Sequence, residues 1–585
     1  MRFHSNTPCS RDWPLVVGGG GMTEDSRVAE SPLHLFDVQT STRSIACSMR
    51  EVITLQFGQV ANYVGTHFWN TQEEYFNYST DPNDNLPPNQ LDHDVLYRAG
   101  LSSTGVETYT PRVLVYDLKG GFGSLNKYNA LFAAQDDMSM PVQWEQGVNK
   151  VVSERYPKNA YQQQLDRMEQ DANTAMEMDA ITSLDQSVQT WSDYNRIYYH
   201  PRSMNQVTTH HMDDTINPFD AYTVGRQSFS DYERETESYE DNFRHFAEEC
   251  DNLQGFQILT SVDDAFGGFT EGMLQLLRED FPKTPIMTYG LQSSNMPVKE
   301  RAVHRIMLNR SLAMTRILDL STSYIPLTTP TWQQLQSSGL SNYIHPNCNL
   351  LFHTSAILSA AIETVSLSWR LKRNPVTMAD LTSKLDGQGS TKLSGLALAL
   401  PLLYDQDGFS ATVDRFKDKL TPLLDLTNSG RHDVSASVFA EDVVVRGLPR
   451  STVHPSDQGL FDYTRSLYGQ FSHCEPRFMD QVPYPLPTSY PQFFSSHLND
   501  SGYLTQQRLE ASPSSAPILT RMYTGSELSP GIEQLTQRLK SMPFRQMTEY
   551  TDGDYGMSYG DLLEVKEDMM HLLDIYTHDE DTMLE

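Results

Sequence analysis

Three glycine-bearing turns carry the residue types from which phosphate-binding loops are built. Gly58 follows the apolar run 51–57, Gly120 and Gly121 follow 112–117, and Gly267 and Gly268 lie beyond 256–261. A phosphate needs backbone N–H groups at the start of a helix with no side chain in the way. The same glycines also serve tight strand-to-helix turns that bind nothing, and isolated glycine patterns do not separate the two readings. Two other groups hold reactive residue types. His210, His211, Asp213 and Asp214 are metal-ligand types, but their segment reads as a loop with a solvated surface cluster, and no metal site is expected. Trp191, Ser192 and Asp193, with His200 and Arg202, lack the G-x-S-x-G elbow and strand-to-helix context of a nucleophile. They are expected to pack and hydrogen-bond, Arg202 pairing with a carboxylate. No catalytic residue is expected.

The elements that must position these turns read as an α/β pattern. A strand at 51–57 precedes a helical stretch at 59–76 with Val60, Tyr63, Val64, Phe68 and Trp69 on its apolar positions. Further strands are expected at 112–117, 256–261 and 285–289, with helical patterns at 231–252 and 271–280. Strands separated by helices predict a parallel, helix-covered sheet. Residues 158–190, rich in Gln and Asp and carrying Met168, Met176 and Met178, read as a surface insertion, helical or loose, placed at about 158–230. Beyond it, 344–371 reads as a strand and helix. Prolines at 476, 483, 485, 487, 491, 513 and 517 exclude a continuous helix there. Leu562, Val565, Met569, Leu572, Leu573 and Tyr576 mark a last amphipathic helix before an acidic tail.

The expected fold is therefore α/β. A Rossmann-type parallel-sheet domain takes 49–320, a second α+β domain 321–475, a Pro-rich irregular segment 476–551, and a C-terminal helical segment with acidic tail 552–585. Residues 1–48 have no sustained period and read as a disordered leader, with Met49 the functional start.

Composition narrows the function classes. Among 585 residues, 44 Lys and Arg face 75 Asp and Glu, a net charge of −31. Nucleic acid is excluded as a partner for want of cations to displace counterions, and anionic bilayers are disfavoured for the same reason. Five scattered cysteines (Cys9, Cys47, Cys250, Cys348 and Cys474) give neither a disulfide scaffold nor a zinc ribbon and fit a reducing compartment. The longest apolar stretch, 393–404, is short, is broken by Pro401, and reads as a buried element rather than a membrane span.

Three motifs in order resemble the tubulin superfamily: 49–59 with Asn62 and Gly65, 110–118, and 250–257. A second set resembles the Misato proteins: Val64-Gly-Thr-His-Phe-Trp-Asn70, Asp94-Val-Leu-Tyr-Arg98, 107–112, Tyr156-Pro-Lys-Asn159, and 191–194 with 200–203. The likeness spans roughly residues 49–450 and implies a tubulin-like fold. It also makes Gly58, Gln59, Asn62, Gly120, Gly121, Gly267 and Gly268 the residues of degenerate nucleotide loops. The signature loop departs from the superfamily pattern: Asp263, Asp264 and Phe269 stand where tubulins present bare backbone. A carboxylate about 4 Å from a phosphate charge costs roughly 1 kcal/mol in water and several at lower dielectric, although magnesium would reconcile the two. The segment 339–344 sets Ile344 where hydrolysis would need an acid. GTP is thus a disfavoured ligand, and no enzyme activity is expected.

The Misato resemblance implies a non-enzymatic, tubulin-like protein that supports mitochondrial distribution, morphology and fusion. It would be cytoplasmic and held peripherally, through proteins, at the mitochondrial outer membrane. The alternative is a GTP-binding cytoskeletal or spindle-assembly factor working with tubulin and the cytosolic chaperonin. The chaperonin is an expected partner on either reading.

Overall fold

Apolar runs alternating with helical periods become a six-stranded, all-parallel sheet. A computed structural model of the chain describes residues 50–76, 90–101, 107–127, 129, 131–132, 156–171, 174–387, 389–416, 423–427, 437–448, 477–479, 482–509 and 512–577. Its strands are β1 (Val52–Phe57), β2 (Val113–Lys119), β3 (Met204–His211), β4 (Gly255–Ser261), β5 (Ile286–Gln292) and β6 (Ser323–Thr328). They lie in the order β3-β2-β1-β4-β5-β6, the doubly wound arrangement. Thr54 pairs with Val113 on one side of β1, and Val52 with Gly255 on the other. β1, β4 and β5 are buried along their whole length, as a sheet covered on both faces requires. The covering helices include α1 (Gln59–Glu73), α2 (Tyr222–Thr236), α3 (Phe266–Asp280) and α4 (Glu300–Leu312).

A long helix, α5 (Leu351–Arg370), packs on α1 and is buried at every position from Phe352 to Arg370. Its sequence is apolar or small nearly all round, which suits a helix with no solvent face. Beyond it stands a second sheet of β7 (Gly395–Ala399), β8 (Leu424–Asp425), β9 (Val438–Arg446), β10 (Arg477–Met479) and β11 (Ile518–Gly525), ordered β8-β7-β11-β9-β10. The chain closes with α6 (Ser529–Lys540) and α7 (Tyr559–Thr577), which pack on each other and on α4. Among the described residues no helix is long and apolar enough to cross a membrane.

A buried charge cluster ties α1, α5 and β9. Glu363 accepts from Arg370 at 2.6 Å, from Arg446 at 2.6 Å and from the Tyr75 hydroxyl at 2.9 Å. The side chains of Glu363 and Arg446 are wholly buried and that of Arg370 nearly so. Two guanidinium groups on one carboxylate hold its pKa low in spite of burial.

Several expectations are corrected. β3 and the start of α2 lie inside the stretch read as an insertion; with Val207 as its only aliphatic residue, β3 has too little apolar alternation to be read as a strand. Of the two readings of the Met-bearing segment, the helical one holds in part: helix Ala160–Gln170 buries Tyr161, and Leu184 is buried in a later turn. β6 lies past residue 320 yet completes the first sheet. β11 and α6 occupy the stretch read as irregular, because the cluster of prolines ends at Pro517, and Pro530 sits in the first turn of α6 where its missing N–H costs nothing. Ile344 forms one bridge with Phe494 rather than a strand. Residues 393–404 include β7, a buried strand. The leader, 1–48, and the acidic tail from 578 lie outside the described residues.

Candidate nucleotide site

The three glycine turns converge at the C-terminal ends of β1, β2 and β4, where doubly wound sheets bind ligands. Gly58 has φ 86°, a conformation that favours glycine, and leads straight into α1. A Cβ there would stand 2.5 Å from the Phe266 ring and 2.9 Å from the Ser261 hydroxyl, so the β4–α3 turn closes directly over the first loop. Gln59, at the first position of α1, reaches Met212 Sδ at 3.5 Å. Asn62 is fully buried and donates to Asp117 Oδ2 at 2.9 Å and to the Tyr116 carbonyl at 3.1 Å. Gly120 has φ 97° and lies under His211, while a Cβ on Gly121 would meet the Asp117 carboxyl at 2.4 Å.

Asp117 is thus the hub of the first and second loops. It also accepts from Trp191 Nε1 at 2.9 Å and from the Leu118 amide at 2.8 Å. Burial raises its carboxyl to about 6 despite these donors. Trp191, stacked edge-on to Phe122, covers it. The Trp191–Tyr194 segment therefore packs and hydrogen-bonds inside the domain.

The third turn is built differently from a phosphate loop. Gly267 and Gly268 lie within the first turn of α3, facing α2. A Cβ on Gly268 would stand 1.9 Å from the Tyr222 carbonyl oxygen, and one on Gly225 of α2 only 1.7 Å from that of Ala265. These glycines let two helices cross backbone to backbone. Asp264 turns back to accept from the Phe266 amide at 2.9 Å, occupying a donor that an anion would use. Burial, with Asp263, Asp117 and Asp220 close by, pushes its carboxyl well above the usual range. Asp263 does not cap the helix. It takes Arg310 of α4 at 2.6 and 3.0 Å and the Ser293 amide at 2.7 Å. Phe269 points into the core beside Phe57, Tyr116 and Phe229, away from the turn.

Asn309, one residue before Arg310, donates to the backbone carbonyls of Asp220 and Asp263 and accepts from the Tyr222 amide at 3.0 Å. Nothing in the local sequence marks Asn309 or Arg310; the adjacent pair Asp263–Asp264 is the one sign that a buried cation must be near. This donor set does not fit a triphosphate. The turn that would receive the phosphates presents two carboxylates, and its cation is engaged by one of them.

The remaining candidates are plain in the structure. His210 and His211 end strand β3 rather than lying in a loop, and His210 Nδ1 meets Thr209 Oγ1 at 3.0 Å. Among the described residues no group of three His, Cys, Asp or Glu is placed to hold a metal ion. Among the described residues Arg202 donates to the Asp241 backbone carbonyl, within the wide π-helical turn Tyr239–Phe243, rather than to a carboxylate. Ile344 is buried in the core.

Comparison with known proteins places the chain. The model of the Misato Segment II tubulin-like domain matches residues 50–167, and that of the Tubulin domain matches 179–371. Protein DML1 of Gibberella zeae is 34% identical over 474 residues, covering 80% of this chain and 90% of its own. The chain belongs to the Misato/DML1 family. Protein misato homolog 1 of Homo sapiens is 28% identical over 572 residues, covering 91% of this chain and 99% of its own. Protein dml1 of Aspergillus niger is 34% identical over 453 residues, covering 76% and 85%.

The residues that carry the Misato resemblance hold the tubulin-like domain together. Asn70 of α1 donates to the Tyr194 carbonyl at 2.8 Å and to Ser489 Oγ at 3.0 Å, while the Tyr194 hydroxyl donates back to the Tyr63 carbonyl. His67 is fully buried, meets the Phe352 carbonyl of α5 at 2.9 Å, and is lowered by that burial to about 3. It stays neutral. In this Misato-family chain the motif therefore locks α1 to the 191–194 turn and to α5.

Proposed function

We propose that the chain is a non-enzymatic, tubulin-like protein that supports mitochondrial distribution, morphology and fusion from the cytoplasm, held peripherally at the mitochondrial outer membrane. Family membership supports the mitochondrial setting. The observation that carries the non-enzymatic part is the closed β4–α3 turn, in which Asp263 is bound to Arg310, Asp264 to the Phe266 amide, and the Phe266 ring sits over Gly58. A site that spends its donors on its own carboxylates has none preorganised for phosphate, and without a bound γ-phosphate there is no hydrolysis to catalyse. The test is nucleotide content. Purified protein is denatured, the supernatant run on an anion-exchange column, and guanine nucleotide quantified; a small fraction of the molar protein is expected, and near-equimolar GTP or GDP overturns the reading. In cells depleted of the protein, a Gln59→Ala variant altered in the first loop should restore the mitochondrial network as fully as the unaltered chain.

The pairing of distant segments supports a chaperonin as folding partner. β1 pairs with β4 across some two hundred residues of chain, and β2 with β3 across some ninety. Such pairing is slow and leaves strand edges exposed meanwhile. Newly translated chain should retain chaperonin subunits in a pull-down, and high-yield refolding with none recovered would refute the partnership.

A further inference from the structure

Helix α7 has two apolar faces, and only one of them is covered by the described residues. Leu562, Val565, Met569, Leu572 and Tyr576 are buried against the body. A second row, Tyr559, Leu563, Lys566 and Met570, follows at i, i+4, i+7 and i+11 and so lies along one line of the helix. Its three apolar members are 51%, 42% and 37% exposed. Single exposed apolar residues are ordinary, but a periodic row on one helix is the pattern of a helix-docking seam. At the helix start Tyr559 takes the Arg545 guanidinium over its ring at 5.8 Å, and the neighbouring half-exposed Tyr555 takes that of Arg226 at 5.1 Å. These rings already favour cations.

The flank of the row is acidic. From 552 to 577 there are seven Asp and Glu and one Lys. Glu564, Glu567 and Asp568 stand exposed on the solvent side of α7, and burial together with Glu564, Asp319 and Glu567 pushes Asp568 upward. An apolar seam edged by one sign of charge selects a partner edged by the other. A second copy of this chain would bring acid against acid, and an anionic bilayer would do the same.

We infer that the Tyr559–Met570 face of α7 docks a basic amphipathic helix of a partner protein. Apolar side chains of the incoming helix would cover Leu563 and Met570, and its Lys and Arg residues would lie along Glu564, Glu567 and Asp568.

The test uses the full chain and a fluorescent three-heptad peptide with Leu at its seam and Lys and Arg at its edges, read by anisotropy. Micromolar binding at low salt is expected, weakening by about tenfold as screening shortens the reach of the charges. The Leu563→Ser/Met570→Ser variant should bind at least about tenfold more weakly while keeping the melting temperature of the unaltered chain. Glu564→Gln/Glu567→Gln should flatten the salt dependence, and Glu235→Gln on the distant α2 should change nothing. Equal binding by a scrambled peptide of the same composition, or by the Leu563→Ser/Met570→Ser variant, would overturn the proposal. A dimer in sedimentation velocity that those substitutions dissolve would assign the face to a second copy. Capture by phosphatidylserine vesicles, lost with the same substitutions, would assign it to lipid. Either result would refute the inference.

Discussion

Gly268 discriminates between a phosphate loop and a helix crossing. In Gly268→Ala the new Cβ is 1.9 Å from the Tyr222 carbonyl oxygen, whereas an ordinary C···O approach is about 3.3 Å. The obstacle is backbone on both sides, so α2 and α3 must move apart by roughly 1.4 Å at that point. A gap of about 0.5–1 Å already forfeits a quarter to a half of each dispersion contact. Overpacking of this kind costs about 1–3 kcal/mol and sometimes more; with rigid backbone as the obstacle, about 3–4 kcal/mol is the appropriate end. Against it stands the gain in helix propensity of Ala over Gly, about 1 kcal/mol. The net expectation is a loss of about 2–3 kcal/mol, which lowers the melting temperature by roughly 2–5 °C for a chain of this size. Gly225→Ala, at 1.7 Å from the Ala265 carbonyl, should behave alike. Gly531, in the first turn of α6, is the control: its Cβ would meet nothing within 4 Å, so Gly531→Ala should raise stability by up to about 1 kcal/mol. Circular-dichroism melts with and without GTP and magnesium measure all three. If Gly268→Ala melts within a degree of the unaltered chain, or loses a nucleotide-dependent stabilisation instead, the helix-crossing account of this glycine is wrong.

Three further outcomes are expected. Arg310→Met should lower stability by about 3 kcal/mol, since it leaves Asp263 partly buried and without its cation, and adding Asp263→Asn should recover part of that loss in a double-mutant cycle by urea unfolding. Glu363→Gln should cost about 3–5 kcal/mol because two buried guanidinium groups lose their carboxylate; a loss under about 1 kcal/mol would refute the account of that cluster. Acid should act through two opposed groups. His67, lowered to about 3 from 6.5, takes its proton in the unfolded chain first, so its contribution is full above pH 6.5 and falls by about 2 kcal/mol by pH 5. Asp117, raised to about 6 from 3.8, takes its proton in the folded chain first and adds stability as pH falls from 6 to 3.8. Asp117→Asn should therefore steepen the acid loss of stability, and His67→Gln should flatten it, in melts taken from pH 7 to 4.

What could be read in the sequence follows from where the apolar pattern was strong. β1, β2, β4 and β5 are mostly apolar runs because a parallel sheet covered on both faces asks for that, and they stand out. β3 is the edge strand, pairing only with β2 within the sheet, and its Gln206 and Thr208 face solvent, so its pattern dissolves into its surroundings. β11 is buried throughout but carries Thr520, Arg521 and Thr524, because Arg521 is met by Glu441 and Glu527 from neighbouring elements. At the candidate site the glycines and the two aspartates are visible as residue types, and the reversal of their roles is not. Whether Gly268 faces an anion or a helix depends on the first residue of α3, and the partner of Asp263 lies 47 positions away.

The two aspartates mark a change in what holds the C-terminal edge of the sheet together. A nucleotide-binding domain of this architecture brings its loops together around an anion that supplies the negative charge for several N–H donors. Here carboxylates of the chain supply it: Asp117 gathers the first and second loops through Asn62, Leu118 and Trp191, and Asp263 joins the β4–α3 turn to α4 through Arg310. The loops are then ordered by covalently tethered charge, at no cost in ligand concentration. The same tethering removes the means by which a γ-phosphate orders and then releases such loops, since a tethered carboxylate is never hydrolysed away. On the non-enzymatic reading proposed above, partners would read the surface of such a domain rather than a nucleotide state.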